Sequence, residues 1–204
     1  MMDKSTTPRL TAEQAARFKR LVAPHLAVLL RTARYLTHHD QQAEDLAQDT
    51  MMKAMRAIDR FQEGTDIKAW LMTILRRTHI DTVRSNKHYA HAVSIEQTEI
   101  ELADLRQDDG GQYDGRWNEP AALLERFGDR EVIEALQGLP EDIRWTLLLV
   151  DVEQLDHSAA ATILEVPVGT IKSRAHRGRA MLRDRLYLWA QERGWVSKQE
   201  SSHA

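Results

Sequence analysis

The stretch Leu155-Asp156-His157-Ser158-Ala159-Ala160-Ala161-Thr162-Ile163-Leu164-Glu165-Val166-Pro167-Val168-Gly169-Thr170-Ile171-Lys172-Ser173-Arg174 reads as two helices joined by a tight turn. Ala159 and Ala160 place small side chains where another helix can cross closely. Ile163 and Leu164 close the first helix, Glu165-Val166-Pro167 makes the turn, and Val166 plugs the angle between the helices. Pro167 cannot continue the first helix, because it lacks a backbone donor and its ring clashes with the preceding turn. The second helix therefore starts within Val168–Thr170, and Ile171, Ala175 and Leu182 recur on its inward face. Its opposite face presents Lys172, Ser173, His176, Arg177 and Arg179. A helix fits the major groove of DNA, where Arg or Lys donates to guanine O6 and N7 and Ser bonds either way. Arg174, Arg183 and Arg185 suit phosphate contacts, which set position rather than sequence. A basic amphipathic helix alone is more often a solvated surface. The small-residue helix, the Pro turn and the inward Ile171 together make it a helix-turn-helix.

Upstream of this motif, a short helix from Arg130 carries Val132, Ile133 and Leu136 until Gly138-Leu139-Pro140 breaks it. Pro140 suits the first turn of the next helix, where Glu141 and Asp142 also favour the dipole. That helix carries Ile143, Leu147, Leu148 and Val150 to near Asp151; a third spans about Asp156 to Leu164, and a fourth runs toward Gln191. The first third of the chain has stripes of its own. Phe18, Leu21, Val22, Leu26, Leu29, Ala33 and Leu36 form one, with Pro24 marking a kink or restart. Asp40 is predicted to N-cap a second helix with Ala43, Leu46, Ala47, Thr50, Met51, Ala54 and Ile58 inward. The polar, Gly-centred segment Phe61 to Asp66 reads as a loop. A third helix then turns Ile67, Trp70, Leu71, Ile74, Leu75, Thr78 and Val83 to a core.

Between these lobes the periodicity fades. Residues 92–106 hold at most a short helix, and Asp108 to Gly115 is too acidic and glycine-rich to bury apolar surface. From Glu96 to Glu119 eight acids face two bases, whereas from Lys172 to Arg185 six bases face one acid. The formal net charge of -3 hides this asymmetry, and a phosphate backbone responds to local charge, within a Debye length of about 8 Å. The expected architecture is all-α: two small helical domains, 10–90 and 129–190, joined by a flexible acidic linker at 91–128 and followed by a tail at 191–204. The 204 residues include no cysteine, which excludes disulfides and thiolate chemistry and fits a reducing compartment. The N-terminal MMDKSTTPRL has no apolar core and no run suits a membrane span, so a cytoplasmic protein without membrane insertion is expected.

Val166-Pro167-Val168-Gly169-Thr170-Ile171-Lys172-Ser173-Arg174 through Leu182 resembles the C-terminal domain of extracytoplasmic-function (group IV) sigma factors of the sigma-70 family. Ala43-Glu44-Asp45-Leu46-Ala47-Gln48-Asp49-Thr50, with Phe61, Gly64 and Ala69-Trp70-Leu71-Met72-Thr73-Ile74, is similar to that family's N-terminal domain. The matching segments cover about 18–87 and 129–187, in the family's order. The resemblance implies a sigma region 2 bundle of three or four helices and a sigma region 4 helix-turn-helix. It implies that Glu44, Asp45, Gln48, Asp49 and Lys53 dock on the clamp helices of the β′ subunit of core RNA polymerase, with the β flap as a further contact. It implies that the loop from Phe61 through Gln62, Glu63, Gly64 and Thr65 to Lys68 captures a flipped base of the -10 element. Lys68, Arg76, Arg77 and Arg84, with Lys87 beyond, would hold the strand's phosphates, although Arg77 stands where many relatives carry Asn. Unstacking a base costs roughly a few kcal/mol, which such a pocket must recover. Lys172, Ser173, Arg174, His176, Arg177 and Arg179 would read the -35 element. An anti-sigma factor and a role in stress response are expected on the same ground.

An enzyme is the first competing class. No Gly-rich phosphate loop, nucleophile elbow or HExxH motif is present. His38-His39-Asp40 and His88-Tyr89-Ala90-His91 lack the further ligands of a four-coordinate metal site. Neither catalysis nor a cofactor or metal is expected. The other alternative is a free-standing helix-turn-helix regulator, which needs a dimerisation surface; the N-terminal lobe shows no heptad seam.

Overall fold

The computed structural model describes residues 11–93 and 129–194, and every regular element among them is helical. The acidic stretch from Glu96, the short helix expected within 92–106 beyond Val93, and the tail including Trp195 lie outside the described residues. So do the side chains of Lys87, His88 and His91.

Thr11 opens α1 (Ala12–Leu21) with a capping box: its hydroxyl accepts from the Gln14 N–H at 3.1 Å, and the Gln14 side-chain oxygen accepts from the Thr11 N–H at 2.9 Å. Two donors that a first turn leaves without partners are thereby satisfied. Pro24 forces a restart, seen as a 3-10 turn at Ala23–His25 before α2 (Leu26–Leu36). The turn resets the helical phase. Val22, Leu29, Ala33 and Leu36 are buried, but Leu26, expected in the same stripe, is 48% exposed. α3 (Asp40–Arg56) begins one residue earlier than expected: His39 holds the N-cap position, and Asp40 is the first helical residue. There its carboxylate favours the positive helix end and lies 3.6 Å from Arg34. A 3-10 turn (Ile58–Arg60) and the loop to Asp66 lead into α4 (Ile67–Val93). α4 buries Leu71, Met72, Leu75 and Thr78 as it crosses α2 and α3.

The second lobe comprises α5 (Asp129–Gln137), α6 (Glu141–Leu147) running into a π-helical turn (Leu148–Val152), α7 (His157–Leu164) and α8 (Val168–Glu192). Pro140 sits at the N-cap of α6 rather than inside its first turn. Asp156 caps α7 by accepting from the Ala159 N–H at 2.7 Å. Glu165 ends α7 in the left-handed region, φ 59°, a position that Gly usually takes. This reverses the chain into Pro167, the N-cap of α8. Ile171 and Ala175 are buried as expected, and Gly178 extends that face. A Cβ on Gly178 would stand 2.7 Å from Ile143 Cγ2 and 3.0 Å from Leu147 Cγ, so α6 and α8 touch there almost backbone to side chain.

The two lobes are not held apart. α2 packs on α5 and α4 on α7, and one continuous core runs from Leu29, Leu36 and Leu75 to Leu136, Trp145 and Leu149. The Gln137 amide donates to the Arg34 carbonyl at 2.9 Å and to the Thr37 carbonyl, satisfying acceptors that the end of α2 leaves over. No helix among the described residues is long and apolar enough to cross a membrane.

Gly178→Val is expected to lower stability by about 2 kcal/mol, because overpacking a filled contact outweighs the gain in helix propensity. Gly169→Ala, with nothing within 4 Å of the added carbon, is expected to raise it by up to about 1 kcal/mol. Urea titrations of the two variants check both signs.

Candidate nucleic-acid interface

The loop ahead of α4 is built around Phe61, which is buried against Trp70 with ring centroids 5.3 Å apart. Phe61 therefore supports the loop from beneath rather than offering its ring to a ligand. Arg17 of α1 donates to the Phe61 carbonyl at 2.6 Å, and Arg17 and Arg20 lie 3.3 and 3.0 Å from the Glu63 carboxylate. The Thr65 hydroxyl donates to the Gln62 carbonyl at 2.7 Å, and Gly64, at φ 92°, makes the turn. Asp66 closes the loop by accepting from the N–H groups of Lys68 and Ala69 at 2.8 and 3.2 Å. The exposed tip is thus Gln62-Glu63-Gly64-Thr65, four polar residues on a fixed base. Sequence reasoning missed Arg17, Arg20 and Asp66. Asp66 could have been found as an N-cap one residue before the apolar stripe; nothing local pairs α1 with residue 63.

Along α4, Arg77 and Arg84 are exposed, whereas Lys68 and Arg76 are half-buried and turned toward the second lobe. Lys68 donates to the Glu153 carbonyl and its ammonium lies 3.7 Å from Glu153 Oε2. Arg76 donates to the Leu164 carbonyl at 3.4 Å, and Arg77 lies 3.9 Å from the Glu165 carboxylate. Glu153 itself is 1% exposed. Its Oε1 accepts from the Arg31 guanidinium and the Thr32 hydroxyl, each at 3.0 Å, while Oε2 makes no hydrogen bond. All three side chains that hold this carboxylate belong to the first lobe. Removing one partner of such a buried ion pair costs about 3–5 kcal/mol in the state that buries it. Nearby, His79 Nδ1 lies 3.5 Å from the Glu141 carboxylate and its ring meets Trp145 edge-on at 5.9 Å.

On α8 the outward face carries Lys172, Ser173, His176, Arg177 and Arg179, all exposed. Two of the arginines assigned to DNA, Arg174 and Arg179, are engaged within the protein. Arg174 is mostly buried and pairs with Asp142 at 2.8 Å. Arg179 binds both oxygens of Asp151 at 2.7 and 3.0 Å, a bidentate pair that raises its pKa. These two arginines brace α8 on α6 and the π-helical turn, leaving Lys172 and Arg177 as the cations without an ion-pair partner among the described residues of that face. Arg185 lies across Gly138 and donates to the Ala135 carbonyl at 3.4 Å. Sequence reading placed each arginine by its helical angle and had no way to assign Asp142 and Asp151 as their partners.

A third patch lies on α3, where Glu44, Asp45, Gln48 and Asp49 are exposed and Lys53 pairs with Asp81 of α4 at 3.0 Å. Asp45 and Asp49 rim a cleft of about 460 Å³ between the lobes, closed on the other side by Glu141 and Arg144. Burial lowers the pKa of Arg144, and Glu141 partly opposes that shift. Among the described residues no three His, Asp or Glu side chains converge as metal ligands.

The comparisons with known proteins follow the same division. Residues 21–89 match the Sigma-70 region 2 family and residues 129–182 match Sigma-70, region 4. The chain is similar to the ECF RNA polymerase sigma factor EcfG of Rhodopseudomonas palustris, 33% identical over 153 residues that cover 75% of this chain and 76% of that one. It is 29% identical over 180 residues to the RNA polymerase sigma-H factor of Pseudomonas aeruginosa, covering 87% and 90% of the two chains. Among solved structures, it is similar to the sigma factor RpoE in complex with the anti-sigma factor NepR from Bartonella quintana. That likeness has a TM-score of 0.64 at 30% identity, over 83% of this chain and 96% of the other. With both regions matched in order and with relatives of this identity and coverage, the chain belongs to the extracytoplasmic-function sigma factors of the sigma-70 family.

Proposed function

We propose that this chain binds core RNA polymerase in the cytoplasm, directs it to promoters through -10 and -35 elements, and assists melting without catalysing a reaction itself. The observation that carries the reading is the pairing of two unlike nucleic-acid surfaces on one chain. The fixed polar tip Gln62–Thr65 beside the α4 cations suits an unstacked base and its strand, whereas the α8 face suits a duplex groove. A free-standing regulator needs only the second of these. Glu44, Asp45, Gln48 and Asp49 form an acidic and amide patch, and such a patch attracts a basic helix on a partner. The β′ clamp helices are the partner assigned to it. The β flap is assigned to the second lobe, and an anti-sigma factor is assigned as the inhibitor.

Within the loop, Gln62, Glu63 and Thr65 are assigned to the base edge, and Gly64 permits close approach. Phe61 is reassigned to supporting the loop. Lys68, Arg76, Arg77 and Arg84 are assigned to phosphates. On α8, Lys172, Ser173, His176 and Arg177 are assigned to the groove, with Arg174 and Arg179 as the braces that fix its angle.

Run-off transcription with core polymerase on a promoter library tests the function, and defined start sites are expected only when the chain is added. Asp45→Lys with Asp49→Lys is expected to abolish that activity and co-purification with core polymerase while leaving the helical content unchanged, since both positions are exposed. Arg177→Ala is expected to weaken binding of the holoenzyme to a matched promoter by about 1–3 kcal/mol if Arg177 reads a guanine. Lys172→Ala is expected to flatten the salt dependence by roughly one unit of slope if Lys172 reads a phosphate. Equal behaviour of Lys172→Ala and Arg177→Ala across sequences and salt would remove the groove assignment.

A further inference from the structure

We propose that Met52 is both the apolar centre of the α3 docking face and a site of reversible oxidation, so that a hydroperoxide loosens the chain from core polymerase by converting this thioether to a sulfoxide. The inference rests on reading α3 as the polymerase-binding surface. Ala43, Leu46, Thr50 and Ala54 turn into the core. At about 100° per residue, Met52 points roughly the opposite way. It is 39% exposed, and among the described residues it is the large apolar side chain that α3 leaves outward. Gln48 and Asp49 precede it by four and three residues and Arg56 follows four later, so all three adjoin it on the helix surface. Asp45 lies one turn further back on the same side, and it too is exposed. An apolar contact ringed by polar groups is the arrangement in which a protein interface concentrates its affinity, and its exclusion from water is what gives it weight.

Access singles out this sulfur. Met72 is fully buried, Met51 and Met181 are half-buried against the core, and Met55 is half-buried beside them. Oxidation of a thioether requires the oxidant to reach it, so Met52 is the first of the described methionines to react. No cysteine in the chain competes for the oxidant. In the reaction with hydrogen peroxide a sulfur lone pair attacks one oxygen, the O–O bond breaks and an S–O bond forms. The proton on the bound oxygen passes to the departing hydroxide, which leaves as water, and the sulfur has given up two electrons. The product carries a strong hydrogen-bond acceptor where the side chain was apolar. In the free chain that oxygen stays hydrated. At the centre of a contact it must shed its water without a partner, which is costly. Oxidation therefore penalises the complex and leaves the fold of the free chain intact, and reduction of the sulfoxide reverses the effect.

The test treats the full chain with hydrogen peroxide, removes the excess with catalase, and reads affinity for core RNA polymerase by surface plasmon resonance. Peptide mass mapping of the same samples locates the added oxygen, and each form is compared with itself before and after treatment. The parent chain is expected to gain oxygen at Met52 ahead of the other described methionines and then to bind roughly tenfold more weakly. Its helical content by circular dichroism should not change, and methionine sulfoxide reductases for the two epimers should restore the affinity. Met52→Leu should bind equally well before and after treatment, whereas Met51→Leu and Met55→Leu should keep the tenfold loss. Oxygen appearing elsewhere before Met52, unchanged affinity once Met52 is oxidised, or an equal loss in Met52→Leu overturns the proposal and leaves the assignment of α3 standing. An untreated chain that does not bind, or that binds as well with Asp45→Lys and Asp49→Lys together, also overturns it and places the fault in the reading of α3.

Discussion

A carboxylate with almost no access to water, held entirely by side chains from the other half of the molecule, is the constraint around which this structure is arranged. Glu153 reaches Arg31, Thr32 and Lys68 only while α2 and α4 lie against the second lobe. Burying such a group is unfavourable unless its partners are in place, and the net worth of a buried pair is small even when they are. The consequence is an interface that is specific in geometry without being strong, backed by an apolar core that continues across it. Such a contact can close reliably in the free chain and still yield to a partner.

The same economy governs the helix-turn-helix. α8 is seated on α6 through Gly178, where no side chain would fit, and is then braced by Arg174 on Asp142 and Arg179 on Asp151. Three residues of the helix are thus committed to holding its angle or its depth. What remains outward, Lys172, Ser173, His176 and Arg177, is a compact set with a defined direction. A reading helix needs that rigidity, because hydrogen bonds to base edges discriminate only when the donors are fixed in position. The loop ahead of α4 follows the same logic with different parts: Phe61 on Trp70, Arg17 on the Phe61 carbonyl and Asp66 on the helix end fix a small polar tip.

Helices, turns and the identity of both lobes were legible because they depend on local pattern. The Pro24 restart, the loop from Phe61 to Asp66, Asp156 at the start of α7 and the inward Ile171 and Ala175 follow from periodicity and cap chemistry. Boundaries moved by a residue where two neighbours compete for a cap, as His39 and Asp40 do, or where Pro140 takes the cap position instead of the first turn. Leu26 was misplaced because a 3-10 turn shifts phase by an amount that no fixed period includes. The pairings of Glu153, Asp142, Asp151 and Glu63 were not legible at all. Each joins residues 28 to 122 positions apart in sequence or crosses between separate helices, and a charge at a helix surface carries no mark of its eventual partner. The closure of the two lobes on one another escaped the sequence for the same reason, since apolar residues that serve one lobe and those that serve the contact look alike.

Distance between the lobes tests the central claim most directly. The chain contains no cysteine, so Ala15→Cys on α1 and Leu188→Cys on α8, both at exposed positions, accept a donor and an acceptor dye without side reactions. Energy transfer should be efficient in the free chain and should fall sharply when core RNA polymerase is added. Transfer that is already low in the free chain, or that does not change on binding the polymerase, would contradict the account.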